Sequence, residues 1–144
     1  MPPLPYAGNS GFKVQGVSFR YPGSSSWALR DVHLSIPAGA AVAFVGPNGS
    51  GKTTLVKLLA GLYEPTEGRI LLGGVDLREL DPGELRKRLS VLFQDYGQYG
   101  GTAKDNIWYG NPTLPLDDRR VVDSAERAGV ARFIDRLPQG YETL

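Results

Sequence analysis

A glycine-rich segment in the first half of the chain combines residue types that could bind phosphate. It consists of Gly46, Pro47, Asn48, Gly49, Ser50, Gly51, Lys52 and Thr53, and it fits the pattern G-x-x-x-x-G-K-[ST] without deviation. Glycines let the backbone wrap closely around an anion, so that successive N–H groups point inward. The Lys52 ammonium would reach the β- and γ-phosphates of a nucleotide, and the Thr53 hydroxyl can ligate Mg²⁺. The segment therefore predicts a phosphate-binding loop.

The sequence on either side of this loop predicts the elements that a phosphate site requires. The continuous apolar run Ala41–Val45 is typical of a strand buried on both faces. After the loop, Lys52–Ala60 carries leucines at helical spacing and is closed by Gly61. Such a helix would place its partially positive N-terminus against the phosphates. A glycine-rich turn that fits the pattern by chance is the alternative, and the strand–loop–helix context argues against it.

The chain before the loop has the pattern of an antiparallel sheet. Residues 1–11 are rich in Pro, Gly and small polar residues, which predicts a flexible linker. Phe12–Phe19 alternates apolar and polar residues with a break at Gly16, so we expect a strand with a bulge. Ala28–Ile36 alternates again and predicts a second strand. His33 falls in this strand, and we interpret it as a strand-surface residue.

Beyond the loop, short strands give way to helices. Two apolar runs predict further strands, Arg69–Leu72 and Ser90–Phe93. Between them, Asp81 is a candidate N-cap for a short helix, with Pro82 at its first position and Glu84 completing a capping box. Two later segments predict helices separated by a glycine, Asp117–Ala128 and Val130–Leu137. The order of these elements predicts an α/β fold.

Composition excludes several classes of protein. The 144 residues include 16 Lys and Arg against 15 Asp and Glu, a net charge of +1, so the chain has no electrostatic footprint for nucleic acid. There is no Cys and a single His, which excludes disulfide scaffolds, thiol nucleophiles and multi-His metal clusters. No apolar stretch reaches the ~18 residues that a membrane-spanning helix needs.

The segment from Gly46 to Leu77 reads GPNGSGKTTLVKLLAGLYEPTEGRILLGGVDL and resembles the nucleotide-binding domain of ABC transporters. Tyr21, in VSFRYPG, lies 25 residues before Gly46 and matches the aromatic residue of that family that stacks on adenine. Stacking of an aromatic ring on a base contributes about 1–3 kcal/mol without hydrogen-bond readout. The alternative for Tyr21 is a turn aromatic that packs on its own sheet.

The resemblance also assigns a role to Gln94, which lies in VLFQDYGQY, 42 residues after Lys52. It matches the Q-loop glutamine, whose amide oxygen meets Mg²⁺ or the attacking water. A competing interpretation makes Val91–Asp95 a Walker B strand with Asp95 as the metal carboxylate, as in another P-loop NTPase or a small-molecule kinase. Against it, Gln94 occupies the position expected for Asp, and no Glu follows Asp95.

A further segment indicates the exporter type of ABC domain. The exporter pattern G-T-x-x-[DE]-N-I-x-Y-G is matched by Gly101, Thr102, Asp105, Asn106, Ile107, Tyr109 and Gly110. By the resemblance, this surface receives the coupling helices of the membrane domain. Ordinary helix capping is the other interpretation, because Thr102 is a good N-cap with Asp105 three residues later. We expect Trp27 and Trp108 to be packing residues, although Trp108 could instead face the membrane domain.

The resemblance covers residues 12–144 but leaves out several parts of the family. The sequence contains no LSGGQ signature, no Walker B strand with a catalytic Glu, no D-loop and no switch His. We therefore expect a domain truncated before the signature: a P-loop NTPase sheet with an antiparallel β-subdomain and the beginning of a helical subdomain.

The function implied by the resemblance is the ATP-binding component of an ABC exporter on the cytoplasmic side of a membrane. Its partners would be a second ATP-binding domain, forming a dimer, and transmembrane domains that are fused or separate. ATP and Mg²⁺ would be bound by the loop from Gly46 to Thr53 together with Tyr21, Thr54 and Gln94. Within that set, Lys52 and Gln94 would be catalytic, and Thr53 and Gln94 would meet the metal. The alternatives are a nucleotide-binding module without turnover and a P-loop kinase that uses Asp95.

Overall fold

The computed structural model describes residues 11–93, 96–97 and 99–144, which fall into two compact units. The first unit ends at Leu92 and the second begins at Phe93. The predicted linker lies almost wholly outside the described residues. No helix within the described ranges is long and apolar enough to cross a membrane.

The first unit is built on a four-stranded antiparallel sheet with the strand order β2-β1-β3-β4. Its strands are β1 (Phe12–Phe19), β2 (Leu29–Ile36), β3 (Glu67–Leu72) and β4 (Val75–Asp76). The predicted bulge is confirmed, because the pairing of β1 with β2 shifts between Val14 and Val17, on either side of Gly16. The pairing of β1 with β3 shifts at the same place. The α/β class and the antiparallel β-part of the prediction are therefore confirmed.

The core of this unit lies between the sheet and the helix α1 (Lys52–Leu59). The bulge in β1 puts Val14, Val17 and Phe19 in one buried cluster, and the helical spacing of α1 brings Leu55 and Leu58 into the same cluster. Burying an apolar side chain of this size stabilises the fold by about 1.5–3 kcal/mol.

Helix α1 ends where the sequence predicts. The Gly61 N–H donates to the Leu58 carbonyl at 3.0 Å, and the Leu62 N–H donates to the Lys57 carbonyl at 3.0 Å. This pair of hydrogen bonds is a Schellman motif, which satisfies the last carbonyls of the helix.

The prediction of a buried strand over Ala41–Val45 is wrong. This segment makes no β-pairing, and the side chain of Val45 is 93 % exposed. Only Phe44 packs against the core. The predicted strand Ser90–Phe93 is not formed either, and Leu92 is 85 % exposed. A strand exists only when a neighbour accepts its backbone hydrogen bonds, and the described residues supply no partner strand to either run.

In the described part of the chain, three further α-helices begin at side-chain caps, whereas a fourth, short one does not. Helix α2 (Pro82–Arg88) follows Asp81, which accepts from the Glu84 N–H at 2.9 Å as expected. In the second unit, Asp117 caps the predicted helix, observed as α4 (Asp118–Arg127). The expected helix over Val130–Leu137 is shorter, because α5 spans only Ala131–Ile134. Helix α3 (Ala103–Trp108) begins this unit and packs against α4.

Two glycines of the sheet provide a matched test of this packing. A Cβ at Gly68 (φ +77°) would overlap the carbonyl oxygens of Gln15 and Gly16 in β1, whereas Gly74 (φ +89°) faces open space. Gly74→Ala carries only the left-handed backbone strain, about 1–2 kcal/mol. We expect Gly68→Ala to lower the free energy of unfolding by roughly 3 kcal/mol or more, because β1 and β3 must separate. Urea unfolding of both variants measures this, and equal losses would contradict the proposed close approach.

Candidate functional site

The glycine-rich loop contacts the sheet at its last glycine, Gly51. Gly51 is the N-cap of α1, with φ +88° and ψ 5°, in the left-handed region. A Cβ at this position would lie 2.5 Å from Cδ2 of Leu29 and 2.8 Å from the carbonyl oxygen of Ala28. Only glycine fits, for reasons of both conformation and space. The loop is thereby fixed against the first residue of β2, which itself belongs to the core.

The Lys52 ammonium is held inside the loop by oxygen atoms. Its Nζ donates to the carbonyls of Gly46 at 2.8 Å and Pro47 at 2.7 Å, and to the Ser50 hydroxyl at 3.3 Å. A cation at the first position of a helix is disfavoured by the helix dipole. The carbonyl oxygens offset that repulsion, and an anion in the loop would offset it further.

The N-terminus of α1 differs from those of the other long helices. Gly51 offers no side-chain cap, and the first turn of α1 contains no acidic residue. By contrast, α2, α3 and α4 begin with side chains that accept from the helix N–H groups, namely Asp81, Thr102 and Asp117. The positive end of α1 is therefore left for an external acceptor, which suits a phosphate group.

The two threonines after the lysine have different surroundings. Thr53 is exposed, so its hydroxyl is accessible for a ligand. Thr54 is 8 % exposed, and its Oγ1 lies 3.1 Å from the hydroxyl of Tyr21 in a hydrogen bond that either group can donate. The hydrogen bond connects the first turn of α1 to the turn that follows β1.

Tyr21 lies in a cluster of three aromatic rings. Its ring centroid is 5.0 Å from that of Phe19 and 5.4 Å from that of Tyr63, both in edge-to-face geometry. The ring centroids of Phe19 and Tyr63 are 5.5 Å apart. Tyr21 therefore packs on its own sheet, and it remains half-buried rather than fully buried. Sequence reasoning missed Tyr63, because a tyrosine soon after a helix end has no spacing signal of its own.

Two other predictions have different outcomes. Gln94 and Asp95 lie outside the described residues, so their roles stay predictions. His33 is a strand-surface residue, as expected: its side chain is 66 % exposed, and its Nε2 lies 2.9 Å from Oδ1 of Asp31.

The exporter-like segment forms the start of the second unit. Thr102 and Asp105 make the full capping box of α3. Hydrogen bonds from the Thr102 backbone N–H and, next, from its hydroxyl hold the pKa of Asp105 below its ordinary value. Trp108 packs on Tyr109 with a centroid distance of 5.5 Å and donates to the Leu114 carbonyl at 2.8 Å. Tyr109 remains 41 % exposed.

The glycine-rich loop is typical of the P-loop class of proteins, because it leads into a helix that has a lysine at its start and no side-chain cap. Comparison with known proteins identifies the family. Residues 29–143 match the family model described as ABC transporter, and the chain belongs to that family.

Individual relatives agree with this assignment. The chain is 42 % identical to an ABC transporter ATP-binding protein of Bacillus subtilis, covering 92 % of this chain and 21 % of the relative. It is also 42 % identical to an ATP-dependent lipid A-core flippase of Chromohalobacter salexigens, and this match covers 92 % of this chain and 22 % of the flippase. A fatty acid ABC transporter ATP-binding/permease protein of Mycobacterium tuberculosis is 44 % identical, covering 91 % and 20 %. The chain thus spans about a fifth of the length of these relatives.

A solved structure also resembles the chain. It is a bacterial Atm1-family ABC exporter with ATP bound, 35 % identical, with a TM-score of 0.84. The similarity covers 98 % of this chain and 24 % of the exporter chain.

The capping box of α3 predicts a pH dependence. Because the folded pKa of Asp105 is lowered, its contribution to stability is complete above its unfolded pKa, about 3.9, and is lost as the pH falls through the lower folded value. Asp105→Ala should therefore speed amide hydrogen exchange in α3 at pH 7, and the difference from the unaltered chain should shrink below about pH 4. Asp123→Ala, at an exposed position on α4, is the control. A difference that persists undiminished at low pH would contradict the role of the charged carboxylate.

Proposed function

We propose that this chain binds the triphosphate of ATP in the loop from Gly46 to Thr53, as part of the ATP-binding component of an ABC exporter. The observation that carries the proposal is the position of the Lys52 ammonium, 2.8 and 2.7 Å from the carbonyls of Gly46 and Pro47. It lies beside the uncapped end of α1. Phosphate oxygens would accept hydrogen bonds from the Lys52 ammonium and from the N–H groups at the start of α1. Hydrogen bonds of the ammonium to charged phosphate are stronger than those to neutral carbonyls.

The donor set of the loop also fits Mg²⁺. Among the described residues, no group of three or more His, Asp and Glu side chains could hold a metal ion. Mg²⁺ commonly takes few protein ligands and relies on nucleotide phosphates and water. The exposed Thr53 hydroxyl would supply a protein oxygen, and by sequence Gln94 would supply another. The ion would neutralise phosphate charge, while Lys52 and the α1 N–H groups hold the phosphates in place.

Tyr21 is the residue we propose for the base. Its ring is half-buried at the edge of the first unit, and its hydroxyl is tied to Thr54 in the helix that follows the phosphate loop. The base and the triphosphate of one nucleotide would therefore contact parts of the same compact unit.

The setting of the site follows from the family. We propose that residues 12–144 form part of an ATP-binding domain that works with a second such domain and with transmembrane domains, on the cytoplasmic side of a membrane. Several relatives are named as ATP-binding/permease proteins, which supports this arrangement. In it, Lys52 and Gln94 would serve hydrolysis by the assembled transporter. This chain, whose sequence has no LSGGQ segment and no Walker B glutamate, would bind ATP without efficient hydrolysis.

Replacing the loop lysine tests the phosphate site. Lys52→Ala should weaken ATP binding at least about 30-fold, because the loop loses its cation and its charge-assisted hydrogen bonds. Calorimetric titration with Mg-ATP measures the affinity. Lys57→Ala is a matched control, since it removes the same charge from the last turn of the same helix. Unchanged affinity in Lys52→Ala would show that the loop is not the phosphate site.

Turnover by the isolated chain distinguishes the proposed function from the kinase alternative. We expect no steady release of phosphate above background, because the sequence contains no Walker B glutamate to act as the general base. The measurement is phosphate release at saturating Mg-ATP, compared with buffer alone. Release that disappears in Asp95→Asn would instead favour the Walker B interpretation of Val91–Asp95.

A further inference from the structure

The hydrogen bond between Tyr21 and Thr54 connects two segments that are 33 residues apart in sequence. The two hydroxyl oxygens are 3.1 Å apart, and the contact is partly buried. One partner belongs to the turn after β1, and the other belongs to α1. The sequence contains no signal for this contact, which arises only because the fold brings the sheet and the helix together.

Thr54 has a fixed position relative to the phosphate loop. It is the third residue of α1, two positions after Lys52, and it is 8 % exposed. Its neighbour Leu55 and the following Leu58 anchor the helix in the core. A β-branched side chain such as threonine has few χ1 rotamers in a helix. The hydroxyl therefore stands at a defined place beside the loop.

The ring of Tyr21 is held on two further sides. Phe19, which is 3 % exposed, meets it at an interplanar angle of 78°, and Tyr63 meets it at 87°. Edge-to-face contacts of this kind restrict the tilt of a ring. The hydrogen bond to Thr54 fixes the hydroxyl group of Tyr21. Both the aromatic ring and the hydroxyl are therefore held by the compact unit that carries the loop.

We propose that Thr54 is a positioning residue, whose hydroxyl holds Tyr21 in the orientation in which its ring receives the purine base. The inference rests on the proposed function, because the base belongs to the nucleotide whose phosphates lie in the loop. Ordering the ring before binding lowers the entropy lost when the base stacks on it. This role differs from the sequence expectation that Thr54 contacts phosphate, and the two roles predict different responses to a ligand without a base.

A double-mutant cycle tests the proposal. Calorimetry would measure the affinities of the full chain for Mg-ATP and for inorganic triphosphate, in Tyr21→Phe, Thr54→Val and the double variant. Each single change should weaken ATP binding about fivefold, because the freed ring must then be ordered when the base binds. The double variant should be no weaker than either single one, because all three lose the same contact. The affinity for inorganic triphosphate should stay constant, which also shows that the loop remains folded. Thr54→Ser keeps the hydroxyl and should restore ATP affinity.

Three outcomes would overturn this proposal and leave the phosphate site in place. Additive losses in the double variant would show that the two hydroxyls act independently. An equal loss of affinity for inorganic triphosphate in Thr54→Val would place Thr54 on the phosphates instead. Binding of inorganic triphosphate but not of ATP by the unaltered chain would show that Tyr21 does not form a site for the base. Failure of the unaltered chain to bind either ligand would refute the proposed function itself, and the inference with it.

Discussion

The absence of a side chain at Gly51 is the constraint on which the candidate site depends. The backbone there approaches Leu29 and the Ala28 carbonyl so closely that a single methyl group would not fit. Leu29 shares one core cluster with Leu55 and Leu58 of α1. Packing of the sheet against the helix therefore fixes the end of the loop at Gly51, and the hydrogen bonds of Lys52 to Gly46 and Pro47 hold its beginning. A loop fixed at Gly51 would lose less order on binding phosphate, which would favour affinity.

The charges at the start of α1 are unfavourable for the stability of the helix by itself. A lysine occupies the first helical position and no side chain caps the N-terminus, whereas Asp81, Thr102 and Asp117 cap the other three long helices. Local rules of helix design are thus followed at α2, α3 and α4 and broken at α1. Departures from such rules concentrate at functional sites, where the unfavourable arrangement is relieved by a ligand. The short helix α5 also lacks a side-chain cap, but among the described α-helices only α1 begins with a lysine, and Gly51 and Lys52 both belong to the sequence motif.

What could be predicted from the sequence depends on how local each interaction is. The bulge at Gly16, the cap at Asp81 and the helix after Asp117 were predictable, because each depends on residues a few positions apart. The apolar run Ala41–Val45 was not, since an apolar sequence makes a strand only where a partner strand exists. Tyr63 and the contact between Tyr21 and Thr54 were equally invisible, because they join segments that meet only in the folded unit.

The two predicted nucleotide contacts, Tyr21 and the phosphate loop, belong to different elements that pack on the same core. Tyr21 follows β1, the phosphate loop precedes α1, and the core between sheet and helix sets the distance between them. A change in that core would therefore alter base and phosphate binding together, even though it touches neither ligand. By contrast, α3 and the exposed Tyr109 that follows it belong to the second compact unit. The helices of that unit have buried residues of their own, namely Val121, Ala125 and Ile134. The described residues that we propose for base and phosphate thus share one packing core, because both pack on the sheet and α1 of the first unit.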